Sequence, residues 1–133
     1  MTSNSKKPNY LVTVPHRNSA MCVFEGKIGQ NNTHKAYRAI ESFLPNGNGT
    51  VLIYSEDQYK PLYQIDLTKT MILIDRAGEE YEYFIVGKEI LNLQKDKVLI
   101  NSGRREIKVV MPWPLYSLPF YTEFHLVVRG VIL

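Results

Sequence analysis

Cysteine is almost missing from this 133-residue chain, and the lone Cys22 excludes both an internal disulfide and a thiolate metal cluster. Histidine is scarce too. His16, His34 and His125 stand far apart with no metal-ligand spacing, so a zinc ribbon is excluded and no cofactor is expected. Long apolar runs are lacking: a stretch such as Met71-Ile72-Leu73-Ile74 is far short of the roughly 20 residues that cross a bilayer. The opening residues lack the basic-then-apolar order of a signal peptide. A strong excess of one charge is also absent. Sixteen Lys and Arg against 13 Asp and Glu leave a net charge of +3, scattered apart from Lys6-Lys7 and Arg104-Arg105, so no nucleic-acid partner is expected.

What the chain has is apolar residues, 44% of the total, in an alternating order. This is enough for one folded domain, expected over residues 10–133 behind a polar, flexible tail at 1–9. Tyr10–Val14, Met21–Glu25 and Thr50–Tyr54 are rich in β-formers; the last is entered through Asn46-Gly47-Asn48-Gly49, whose glycines tolerate positive φ. Lys69–Asp75 and Glu80–Val86 flank Arg76-Ala77-Gly78-Glu79 as a hairpin, and 97–100 with 105–110 flank Asn101-Ser102-Gly103 as a second. Phe124–Leu133 reads as a long last strand. Helical signal is local: Ala36, Tyr37, Ile40, Phe43 and Leu44 recur at helical steps over Thr33–Leu44, and a single turn fits Gln58–Gln64. The pattern predicts an all-β barrel or sandwich with one or two short helices.

Four segments, in order, resemble the sortases, cysteine transpeptidases that attach proteins to bacterial cell walls or join pilin subunits, and most of all their class D-like members. Val14-Pro15 and Val23-Phe24-Glu25-Gly26 match the opening strands with the spacer kept. Leu44-Pro45-Asn46-Gly47 and Gly49-Thr50-Val51-Leu52-Ile53-Tyr54-Ser55-Glu56-Asp57 match the segment that ends in the family's catalytic histidine. Tyr59-Lys60-Pro61-Leu62, Leu67–Leu73, Tyr81, Tyr83 and Ile85-Val86 match the third. Ile107–Tyr116 and His125-Leu126-Val127-Val128-Arg129-Gly130 match the segments that carry the nucleophile and the arginine. The resemblance runs from Leu11 to the end and implies a closed, eight-stranded sortase-like β-barrel.

It also exposes a loss. Carried over residue by residue, the family histidine falls on Ser55, the cysteine on Pro112 and the arginine on His125. Such a transpeptidase needs a thiolate, an imidazole and a cation for the oxyanion. Pro112 offers no side-chain heteroatom and no backbone N–H. Ser55 does not titrate near neutrality as an imidazole does. Losing one member of such a unit costs about 10³ or more in rate. The expectation is a pseudoenzyme, with no catalytic residue, that keeps a protein- or peptide-binding, accessory or structural role in the former groove.

The candidate binding surface comprises Asp57, Tyr59, Trp113, Tyr116, Phe120 and Tyr121, because the proline-rich, aromatic stretch Met111–Tyr121 holds the only Trp. Two other readings stay open. One is an enzyme with a relocated centre at Cys22 or His125, although a small buried apolar residue is the ordinary reading of Cys22. The other is a tyrosine-lined barrel for single-stranded nucleic acid. Following the family, the protein would work at the bacterial cell surface, with a membrane as partner only through an anchor outside these residues; as a complete chain it would be cytoplasmic.

Overall fold

The computed structural model describes residues 7–16, 19–27, 36–55, 60–92, 103–113 and 124–132. Among these residues eight strands and one short helix form: β1 (Tyr10–Val14), β2 (Ser19–Gly26), β3 (Ala36–Ala39), β4 (Thr50–Ser55), α1 (Lys60–Tyr63), β5 (Thr70–Asp75), β6 (Glu80–Asn92), β7 (Glu106–Trp113) and β8 (Phe124–Val131). The strands close into a barrel in the order β1-β2-β3-β4-β7-β8-β6-β5. Two pairings are parallel, β2 with β3 and β4 with β7. All others are antiparallel.

Alternation decides which side chains enter the barrel. Val12, Val23, Val51, Ile53, Leu73 and Val109 are fully or almost fully buried in the interior cluster. The mouth reached by the C-terminal ends of β4 and β7 is capped from α1 and the turn behind it by Leu62 and Ile65. The opposite end of the interior is polar. Arg38 Nε reaches Glu25 Oε1 and Oε2 at 3.1 and 3.0 Å, and Nη2 reaches Oε2 at 2.6 Å. Its Nη1 donates to the carbonyls of Ala39, Ser42 and Phe43, which wraps the turn after β3 around one guanidinium. Ser42 Oγ then accepts the Leu52 N–H at 3.1 Å, tying that turn to β4. Only a planar, forked donor makes all these bonds at once, and removing one partner of a buried pair typically costs about 3–5 kcal/mol.

Three expectations are corrected. Residues 36–39 form a strand, not part of a helix over Thr33–Leu44 (residues 33–35 lie outside the described ones). Pairing with β2 and β4 and the ion pair of Arg38 override the helical spacing. Ile40, Phe43 and Leu44 are exposed rather than packed on a helix face. No 97–100/105–110 ladder forms along β7, since residues 106–110 pair with β4 on one side and β8 on the other; 97–100 lie outside the described residues. The positive φ angles occur at Gly78 (83°) and Gly103 (74°). Gly47 and Gly49 serve close approach instead, with a β-carbon at Gly49 coming 2.6 Å from Phe43 Cε1.

The first hairpin forms as read. Asp75 Oδ1 accepts the N–H groups of Ala77 and Glu79 at 2.9 and 3.0 Å, and Gly78 supplies the left-handed residue. The stretch before β1 is tied down in part: Arg76 donates to the Lys7 and Pro8 carbonyls, and Asn9 Oδ1 accepts the Glu25 N–H.

Tyr10 and Tyr83 are buried in the core, and burial pushes both phenols up to about 12, with a hydrogen bond to Glu25 adding to the effect at Tyr10. Between the unfolded value near 10 and about 12, the unfolded chain has lost protons that the folded one keeps. Folding stability should therefore be unaffected by these groups below pH 10 and fall as pH rises from about 10 to 12. Urea unfolding at stepped alkaline pH, with phenolate absorbance followed in parallel, checks this. A flat profile would place both phenols in water.

Candidate active-site remnant

Pro112 and His125 are direct cross-strand partners on β7 and β8. The last β4–β7 pair is Tyr54↔Val110, so Ser55, the final residue of β4, lies at the same barrel end. The fold thus brings the strand ends carrying Ser55, Pro112 and His125 together. Their side chains do not share a face. Ser55 is buried, in step with Val51 and Ile53, and pairs with Ala36, which packs on the interior cluster. Pro112 and His125 are in step with Val110 and Val127, which belong to a second cluster on the outer wall.

That outer cluster joins four strands. Ala39, Leu52, Val110 and Val127 are buried, with Tyr54 and Leu91 packed against them. Leu91 pairs with His125 from β6. Tyr54 stacks on Tyr37 at 5.7 Å between ring centroids, and burial, followed by the Glu41 carboxylate, raises its phenol pKa. Tyr54 therefore sits at the candidate site as a neutral hydroxyl. The signal that finds it in the sequence is alternation, which sets Tyr54 and Leu52 on the face opposite to Ser55.

A proline near the end of a central strand has a local explanation. Beyond Tyr54↔Val110, β4 gives β7 no further partner, so one edge of β7 at Pro112 is already without a ladder among the described residues. That is where a strand tolerates a missing N–H.

Trp113 follows Pro112 yet points the other way. It packs on the interior cluster, and its ring meets Tyr63 of α1 at 5.0 Å. Lys88 Nζ lies 5.1 Å from the centroid of the Tyr63 ring and donates to the Tyr63 carbonyl at 2.7 Å. Trp113 thus belongs to the barrel mouth rather than to the face of Pro112 and His125. Sequence reading missed Tyr63 and Lys88 as its companions, because nothing local links α1 to β6. Asp57, Tyr59, Tyr116, Phe120 and Tyr121 lie outside the described residues.

Cys22 corrects the buried reading: its side chain is exposed on β2, opposite Leu11, itself exposed. Around the barrel β2 and β8 are separated by β3, β4 and β7 in one direction and by β1, β5 and β6 in the other. Cys22 and His125 are on opposite walls and do not form one centre. Among the described residues no group of His, Cys, Asp and Glu could hold a metal ion, and no helix is long and apolar enough to cross a membrane.

Solved structures share this architecture. The catalytic domain of B. anthracis SrtD superposes with a TM-score of 0.76 at 13% identity, covering 98% of this chain and 93% of that one. The chain has the sortase fold. A lid mutant of sortase A from Corynebacterium diphtheriae gives 0.76 at 14% identity, covering 96% of this chain and 72% of that chain. Sortase A of Listeria monocytogenes gives 0.74 at 17% identity, covering 95% and 87%. No protein-family profile and no curated protein matches the sequence. The sortase-like eight-stranded barrel expected from the four segments is thus present.

An exposed thiol on the far wall makes a simple prediction. Cys22 should react with Ellman's reagent in the folded protein without denaturant, and Cys22→Ser should leave unfolding within about 0.5 kcal/mol of the parent, as for surface positions generally. A thiol that reacts only after unfolding would contradict the placement.

Proposed function

We propose that this protein is a sortase-fold binding protein without transpeptidase activity, using the β7–β8 end of the barrel to hold an extended peptide or another protein. The observation that carries the reading is the position of the chain's only cysteine. Cys22 lies on β2, across the barrel from β7 and β8, so no thiol can attack a carbonyl held beside Pro112 and His125. Pro112, which takes the nucleophile's place in the sequence resemblance, has neither a side-chain nucleophile nor an N–H for an oxyanion. Ser55, which takes the place of the histidine, is buried and in step with the interior residues of β4.

What remains suits contact rather than chemistry. Pro112 stiffens the end of β7, His125 and Tyr54 supply polar tips on apolar bodies, and the outer cluster gives that end of the wall a buried apolar base. Asp57, Tyr59, Tyr116, Phe120 and Tyr121, from the segments that follow β4 and β7, would extend the surface. A bacterial cell-surface setting is the one in which such a partner would be met.

The test uses two readouts on the same protein. Incubation with a sorting-motif peptide and an amine acceptor should give no cleaved or transferred product. The fluorescence of Trp113, the single tryptophan and close to this barrel end, should shift on titration with the peptide or with a surface-protein tail that binds. Pro112→Asp together with His125→Asp should abolish the shift while leaving the fold intact by circular dichroism. Turnover of the peptide, whether or not it survives Cys22→Ser, or binding unaffected by the double substitution, would overturn the reading.

A further inference from the structure

The turn that feeds β4 contains two successive asparagine–glycine steps, Asn46-Gly47 and Asn48-Gly49, with both asparagines exposed. Such steps share one intrinsic chemistry. The glycine amide nitrogen, after losing its proton to solvent base, attacks the asparagine side-chain carbonyl carbon. The bond to the side-chain nitrogen breaks, ammonia leaves, and a five-membered succinimide remains. Water then opens the ring at either carbonyl to give aspartate or isoaspartate, so the net change is amide plus water to carboxylic acid plus ammonia, with no redox step. Asparagine is among the thermolabile residues for this reason.

The two steps differ in the state of the attacking nitrogen. The Gly47 N–H donates to the Leu44 carbonyl at 2.9 Å, closing a turn whose Pro45 carbonyl is in turn held by Arg105 Nη2 at 2.9 Å. Attack from Gly47 must first break that bond and move a clamped backbone. Gly49 is buried beneath the Phe43 ring, so base reaches its N–H only as the turn opens, but no acceptor among the described residues holds that N–H in place; the hydrogen bond at Gly49 is made by its carbonyl, which accepts the Glu106 N–H at 3.4 Å. We infer that Asn48 is a site of spontaneous deamidation in the folded protein, and that Asn46, although it carries the same dipeptide, is protected by the Leu44–Gly47 hydrogen bond.

The product matters because of where it forms. Gly49 lies against the Phe43 ring with no room for a β-carbon, and the next residue, Thr50, donates from Oγ1 to buried Glu106 at 3.1 Å across the β4–β7 seam. Isoaspartate adds a methylene to the backbone immediately before this packed step, and either product adds a negative charge to the turn.

Ageing the whole folded protein at mildly alkaline pH and locating the mass gain by fragmentation of the tryptic 39–69 peptide tests the inference. Asn48 should convert several-fold faster than Asn46. In urea-unfolded protein the two rates should become equal, since the hydrogen bond that separates them is gone. Asn48→Gln should remove the fast phase and leave the slow one. Conversion of Asn46 at least as fast as Asn48 in the folded protein would overturn the proposal. So would a folded protein in which neither site reacts while the unfolded chain converts both.

Discussion

Strand alternation along β7 and β8 is the constraint on which the rest of the molecule depends. The ladder runs from Glu106↔Val131 to Trp113↔Phe124, and each step sends neighbouring side chains to opposite faces. Ile107, Val109 and Met111 therefore fill the barrel, while Val110 joins the outer cluster. A one-residue slip would exchange the two sets and place Lys108 in the core. The same parity puts Pro112 and His125 together on the outside and turns Trp113 inward. Closure of the barrel then sets Cys22 on the wall opposite β8.

The two ends of the barrel solve different problems. At one end the interior is closed by an ion pair, and Arg38 uses its guanidinium as a template for the turn that follows β3. At the other end α1 brings Leu62 and Ile65 over the core and sets Tyr63 against Trp113. The polar end is bonded from within. The mouth with the aromatics is where strand ends from β4, β7 and β8 meet.

Much of this was legible in the residues. Strands with period-two burial, such as Tyr10–Val14 and Thr70–Asp75, announce themselves, and the hairpin at Gly78 carries its own turn chemistry. β3 was not legible: four residues are too few to show a period, and a buried Arg38 reads as surface until Glu25 is brought beside it. Cys22 misled for a related reason, since residue type favours burial while its alternation with Met21 and Val23 places it outside. At the candidate site, the positions singled out by the resemblance, Ser55, Pro112 and His125, lie at neighbouring strand ends. Their faces depended on register, as did the company that Trp113 keeps with Tyr63 and Lys88.

The central claim is that no nucleophile serves the β7–β8 end of this barrel. Intact-protein mass spectrometry of the chain during incubation with a sorting-motif peptide tests it most directly, because a transpeptidase of this fold must pass through a covalent acyl-enzyme. The account predicts an unmodified mass at every time point. A peptide adduct that is lost on adding an amine acceptor, on whichever residue it maps to, would contradict it.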